Sequence, residues 1–272
     1  MFKNLFLGLL FFCLTFTLGV VNSIKFDSKK CSATADNIYD YSIYGVREYF
    51  NDTYSNDEKK YLYSSENTNS KKIIANVKNF NQIELNRSYY RNTNTNISGS
   101  CTIVACLGLL NYFGNEKGEF AINDTYSKAF IKIFNACLEA GYTSTNNGTD
   151  MSDEDNCVDI AFNTYGSSRE GNINWWYLYD NICDAVDCNS PIIFDLTDHS
   201  TVAIGVTEFY VTYEETYTTG MWWWKKEEKR TVTDIIEFVI VNDGWGTNNG
   251  SLVPVSMITN IWGNMQVCWA EL

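Results

Sequence analysis

The sequence predicts an α+β domain in which helices come first and an antiparallel sheet follows. Residues 101–113, CTIVACLGLLNYF, are apolar on nearly every side, as a buried helix should be. After Pro191 the pattern changes: residues 201–213 and 231–241 are rich in Val, Ile, Thr and Tyr and look like paired strands. A hydrophobic share of 45% over 272 residues is enough to bury one sizeable core.

Taken in order, residues 1–23 have the make-up of an export signal. Lys3 supplies the positive start, residues 5–21 are almost wholly apolar, and Ser23 offers a small residue for cleavage. The competing reading is an uncleaved anchor. Residues 24–96 are polar and rich in Asn, Ser, Tyr and Lys; they are either a loosely ordered N-terminal region or a pro-segment that shields a cleft. The globular domain is expected over 97–272. Ser98, Gly99 and Ser100 precede its first helix, where a serine side chain can cap the start. A second helix is expected over 125–140, with Phe130, Phe134, Cys137 and Leu138 on one face and Gly141 as its stop. Residues 148–156 form an acidic, solvated loop in this reading. A third helix is expected over 175–186, capped by Asn174, with Trp175 and Trp176 in the core. Strands follow over 192–196, 201–213, 231–241, 252–258 and 265–270.

The formal charge of −13 argues against nucleic acid as a partner, because phosphate contacts need clustered Lys and Arg. Once the signal is removed, no stretch is long and apolar enough to span a membrane. A secreted chain with Cys31, Cys101, Cys106, Cys137, Cys157, Cys183, Cys188 and Cys268 is expected to hold disulfides, with Cys183 and Cys188 close enough in sequence to close a small loop. Cys106, inside an apolar helix, is expected to stay free. Zinc is not expected, since His199 is the only histidine and no pair of CxxC knuckles occurs.

A thiol is a poor nucleophile until it loses its proton, and a helix N-terminus and a nearby imidazolium both favour that loss. Cys101 sits at the expected start of a buried helix, and only His199 can supply the imidazole. A third group must fix the tautomer of that base; Asn242, at the end of an expected strand, is placed to do so. Three blocks carry a resemblance: GSCTIVACLGLLNYF (99–113), PIIFDLTDHSTVAIGV (191–206) and FVIVNDGWG (238–246). In this order they resemble the cysteine-helix, histidine and asparagine–tryptophan motifs of papain-like cysteine peptidases, nearest to the streptopain-like and bacteriocin-processing-like bacterial members.

The resemblance covers residues 95–272. It implies a papain-like fold, in which a helical half carrying the nucleophile packs on a sheet half. It also implies a secreted enzyme that hydrolyses protein or peptide substrates without a cofactor. Cys101 matches the nucleophile, His199 the base, Asn242 the orienting residue and Trp245 the aromatic that shields them. Where the family often has a Gln that helps bind the oxyanion, this chain has Thr95; Asn94 or Asn96 could offer an amide instead, and Asn96 is favoured for that role. Thr102 stands where a small residue is frequent, and Asp243-Gly244 lengthens the spacing from Asn242 to Trp245. A thiol amidase or acyltransferase using the same dyad, or an inactive relative that binds a partner or adheres, are the alternative readings. Trp222, Trp223 and Trp224, beside Lys225 and Lys226, are expected at a hairpin tip as a substrate- or partner-binding element, or else folded back on the sheet edge.

Overall fold

The computed structural model describes residues 38–54, 60–67, 71–220, 222–246, 250–258 and 265–271. The expected export signal, Cys13 and Cys31 lie outside them. The described residues belong to one compact unit, which is α+β, built of helices on an antiparallel sheet.

The sheet is organised around two long strands. β6 (Ser200–Thr219) is rich in β-branched and aromatic residues, and it alternates buried Phe209, Val211 and Tyr213 with more exposed neighbours, the period of two that a half-covered strand requires. It pairs along its length with β7 (Lys226–Asn242). The other side of β6 is covered in succession by β5 (Ile192–Asp195), β3 (Lys72–Ile73) and β2 (Lys60–Asn67). Beyond β7 lie β8 (Ser251–Pro254) and β1 (Tyr39–Asp40); beyond β5 lie β9 (Gln266–Glu271) and β4 (Glu170–Asn174). All of these pairings are antiparallel, so the tight connection from β5 to β6 presents its turn at one edge of the core.

Two helices precede Cys101: α1 (Ile43–Tyr54) and α2 (Gln82–Thr93). Next comes α3 (Cys101–Asn111), in which every residue after Cys101 is buried; it packs on β5 and β6 from one side and on α4 (Tyr126–Ala140) and α5 (Glu154–Asn163) from the other. Leu107, Leu109 and Leu110 are fully buried, each worth roughly 1.5–3 kcal/mol of hydrophobic stabilisation. α4 starts and stops as its sequence predicts: Thr125 caps its N-terminus and Gly141 ends it in the left-handed region. α6 (Leu178–Asp187) lies against β6 and β9. Arg169 ties the start of β4 to the helical half: its guanidinium takes both oxygens of Glu119 (2.7 and 2.8 Å), donates to the Ala270 carbonyl (2.7 Å) and lies over the Phe113 ring.

Several expectations are corrected. The acidic stretch at 148–156 is not a solvated loop: it opens α5, and Glu154 is 1% exposed. Residues 175–177 are not helical, because Asn174 ends β4 and accepts a bond from Trp176 N–H (2.8 Å); α6 begins three residues later and Trp176 is exposed. Over the described part of 38–96 the chain is not loosely ordered, since Val46, Tyr49, Phe50, Phe80, Leu85 and Tyr89 belong to the core. Among the described residues no two cysteines stand at disulfide distance: Cys101, Cys106, Cys137, Cys157, Cys183, Cys188 and Cys268 are each unbridged. Cys183 and Cys188 sit on and just after α6, and five residues of helix turn them roughly 140° apart about its axis, away from bonding distance.

Candidate active site

The approach to α3 is set by two chain segments that cross at glycines. Gly99 (φ +67°) and Gly148 (φ +75°) are in the left-handed region, and a Cβ on Gly148 would collide with the Gly99 carbonyl. Ser98 N–H donates to Thr145 O (2.8 Å) and its hydroxyl to Asn146 O (2.7 Å), fastening the same crossing. Ser100 does not cap the helix with its side chain, as the sequence had suggested; its hydroxyl donates to Asn86 Oδ1 of α2 instead (2.6 Å). Cys101 is thereby the first helical residue, half-buried, among first-turn N–H groups that have no intrahelical acceptor.

His199 closes the turn between β5 and β6, where Leu196 N–H donates to its carbonyl (2.8 Å). The ring is buried, and Nε2 lies 2.6 Å from the main-chain carbonyl of Asp243. A carbonyl can only accept, so Nε2 carries the proton and Nδ1 is left to face the thiol. The Trp245 indole stacks on the imidazole, with centroids 5.1 Å apart and planes 9° from parallel. Gly244 (φ +81°) passes beneath the ring, and the Cβ of any other residue there would sit 3.9 Å from it, in a conformation that L side chains rarely adopt.

The turn that supplies this carbonyl is held from several directions. Asp243 Oδ1 accepts from Asn79 Nδ2 (3.0 Å) and Trp245 N–H (2.9 Å), and Oδ2 accepts from the Ser251 hydroxyl (2.8 Å). Gly244 N–H donates to Asn79 Oδ1 (3.1 Å), Gln82 N–H to Gly244 O (2.7 Å), and Asn81 Nδ2 to Trp245 O (2.7 Å). Asn242 belongs to the same lacing: its amide donates to Val77 O (3.0 Å), so this donor is directed at residues 77–82 and not at the imidazole. The segment ahead of α2, part of the polar N-terminal region, thus braces the histidine's partner.

The electrostatics favour an ion pair. Burial alone would raise the Cys101 pKa, but the hydrogen bond and charge of His199, with hydrogen bonds from the Ser200 backbone and hydroxyl, bring it below the ordinary thiol value of 9.0. Burial would lower His199, yet the Cys101 thiol and then the Asp243 carbonyl and charge raise it above 6.5. Thr102 is buried and shares a hydrogen bond with the Ser200 hydroxyl (2.8 Å), joining the Cys101 helix to the strand that follows His199.

Behind the dyad lies a group that the sequence did not reveal. Glu154, Asp195 and Gln266 are each at most 2% exposed. The single amide of Gln266 donates to Met151 O (2.6 Å), Asp195 Oδ2 (2.9 Å) and Glu154 Oε2 (3.0 Å), while Glu154 Oε1, Asp195 Oδ1 and Gln266 Oε1 find no hydrogen-bond partner. Burial, reinforced by the charge and contact of Asp195, raises the Glu154 carboxyl well above its ordinary value of 4.5. Burial raises the Asp195 carboxyl as well, so both acids of the pair are shifted toward their protonated form. Asp195 pairs with Ser200 across the β5–β6 ladder, which puts this acid group one strand away from the thiol.

Of the other residues singled out in the sequence, Asn96 is exposed and lines a groove beside α2. Trp222–Trp224 form a 3-10 turn at the tip of the β6–β7 hairpin, with Trp223 82% and Trp224 77% exposed. Among the described residues no cluster of His, Cys, Asp or Glu is arranged to hold a metal ion, and no helix is long and apolar enough to cross a membrane. No protein-family model, curated protein or solved structure matches the chain.

Proposed function

We propose that the protein is a secreted cysteine peptidase of papain-like type, with Cys101 as nucleophile and His199 as general base and acid. The observation that carries this reading is the pairing of a half-buried thiol at a helix start with an imidazole whose other nitrogen is fixed on a main-chain carbonyl. The Cys101 thiolate attacks a peptide carbonyl to form a tetrahedral oxyanion, for which the first-turn N–H groups of α3 are the nearest fixed donors and Asn96 the side-chain candidate. His199 gives its proton to the leaving amine as the C–N bond breaks and the thioester forms. It then takes a proton from water, and the hydroxide hydrolyses the thioester and restores the thiol.

The orienting role that the resemblance implies for Asn242 passes in this reading to the Asp243 carbonyl. Trp245 shields that contact from water and holds the ring plane. No cofactor enters the reaction. The reading is tested by mass-mapped labelling of the purified protein with an epoxide-type thiol-peptidase inhibitor. Cys101 is the expected site of modification, and His199→Ala is expected to lose it. An unreactive Cys101, or equal labelling of the variant, rejects the dyad.

A further inference from the structure

The spacing of Ile83, Asn86, Arg87, Tyr90 and Arg91 puts them on one stripe of α2, opposite the buried Leu85 and Tyr89. That stripe, with Asn96 and Ile97, lines a groove of about 370 Å³. Ile83 and Tyr90 are 54% and 46% exposed in it, large apolar groups left uncovered. The groove wall is bonded to the nucleophile's own segment: Asn86 Oδ1 accepts from the hydroxyl of buried Ser100, the residue before Cys101. The groove therefore adjoins the segment that leads into Cys101.

Two cations stand side by side there in a chain of 33 acidic and 20 basic residues. Arg169 pairs with Glu119 and Arg230 with Glu215. Among the described residues, Arg87 and Arg91 make no ion pair, and both are exposed on the groove. A guanidinium presents its donors in a fork that fits a carboxylate, and two of them one helical turn apart fit an acidic segment. Without such a pair, a protein of charge −13 would repel an acidic peptide out to roughly a Debye length of 8–10 Å.

We propose that this groove is a substrate subsite for acidic peptide segments, with Arg87 and Arg91 as its specificity-determining residues. The proposal rests on the peptidase reading for its meaning but not for its test. The full chain carrying Cys101→Ala is titrated calorimetrically, at low salt, with an alternating Glu–Leu peptide and with its Gln–Leu twin. The acidic peptide is expected to bind about tenfold more tightly, in line with two charge-assisted contacts. Adding Arg87→Gln and Arg91→Gln should abolish that advantage, and Arg87→Glu with Arg91→Glu should turn the preference toward a Lys–Leu peptide. Equal binding of the twins, no binding of either, or an advantage that survives the double substitution overturns the proposal. Iodoacetamide labelling of Cys101 in the otherwise wild-type chain reports on the dyad separately, and Arg87→Gln with Arg91→Gln should leave it unchanged.

Discussion

Two buried acidic groups flank His199, and they are built in opposite ways. At the β7 end, the Asp243 carboxylate receives donors on both oxygens, from Asn79, Trp245 N–H and Ser251. Between β5 and α5, the carboxyls of Asp195 and Glu154 share one amide from Gln266, and three oxygens of the group lack a partner. A buried acid supplied with donors works as a clamp, and here it fixes the carbonyl that fixes the imidazole. A buried acid pair short of donors must keep a proton, and removing one of its charges relieves the fold.

The largest expected effect is therefore at Asp243. Asp243→Ala removes the acceptor of Asn79 Nδ2, Trp245 N–H and the Ser251 hydroxyl and frees the turn, at a cost of about 3 kcal/mol in denaturant unfolding. The rate of Cys101 alkylation should fall with it; an unaltered rate would mean that the turn holds the ring without its carboxylate. Next comes the pH dependence of the dyad. His199 lowers the Cys101 pKa from 9.0 and Cys101 raises that of His199 from 6.5, so each group favours the charged form of the other. Alkylation should already be fast below the ordinary thiol range, whereas turnover in the proposed peptidase reaction, which also needs the imidazolium proton, should decline as pH rises through the His199 value. In His199→Ala only burial and Ser200 remain, and the alkylation profile should move upward in pH.

Glu154→Gln should act in the opposite sense to Asp243→Ala. The wild-type carboxyl has a raised folded pKa, so the stability tied to its proton is complete below 4.5 and is lost as pH climbs toward the folded value. Glutamine has no such proton to lose. The variant should match the wild type in acid and gain about 1 kcal/mol on it in mildly alkaline solution, read as thermal unfolding across pH. A deficit that grows with pH would show the pair to be a stabilising contact instead. The smallest effect is expected at Asn242: Asn242→Ala loses one bond to Val77 O, about 1 kcal/mol, without moving the alkylation profile. A shifted profile would return the orienting role to its side chain.

The positions of Cys101 and His199 were legible because each depends on local pattern, an apolar helix with small residues before it and a turn between β-rich runs. The acceptor for the histidine was not, because it is a main-chain carbonyl and every residue has one. α5 was hidden by its own first turn. Asp153, Glu154 and Asp155 look solvated until Cys157, Val158, Ala161 and Phe162 are seen to form the buried stripe that pulls Glu154 inside with them. α1 and α2 were masked by exposed Asn, Arg and Ser, although Tyr49 with Phe50, and Leu85 with Tyr89, already marked their inner faces.

The stacked pair of Trp245 and His199 also makes the molecule its own indicator. A protonated imidazole accepts electron density from an excited indole and darkens it, while a neutral one does so weakly. His199 is the single histidine of the chain, so no other imidazole contributes to that signal. The part of the emission that vanishes in Trp245→Phe should brighten as His199 loses its proton, giving an optical titration of the base in the resting protein with no substrate and no label.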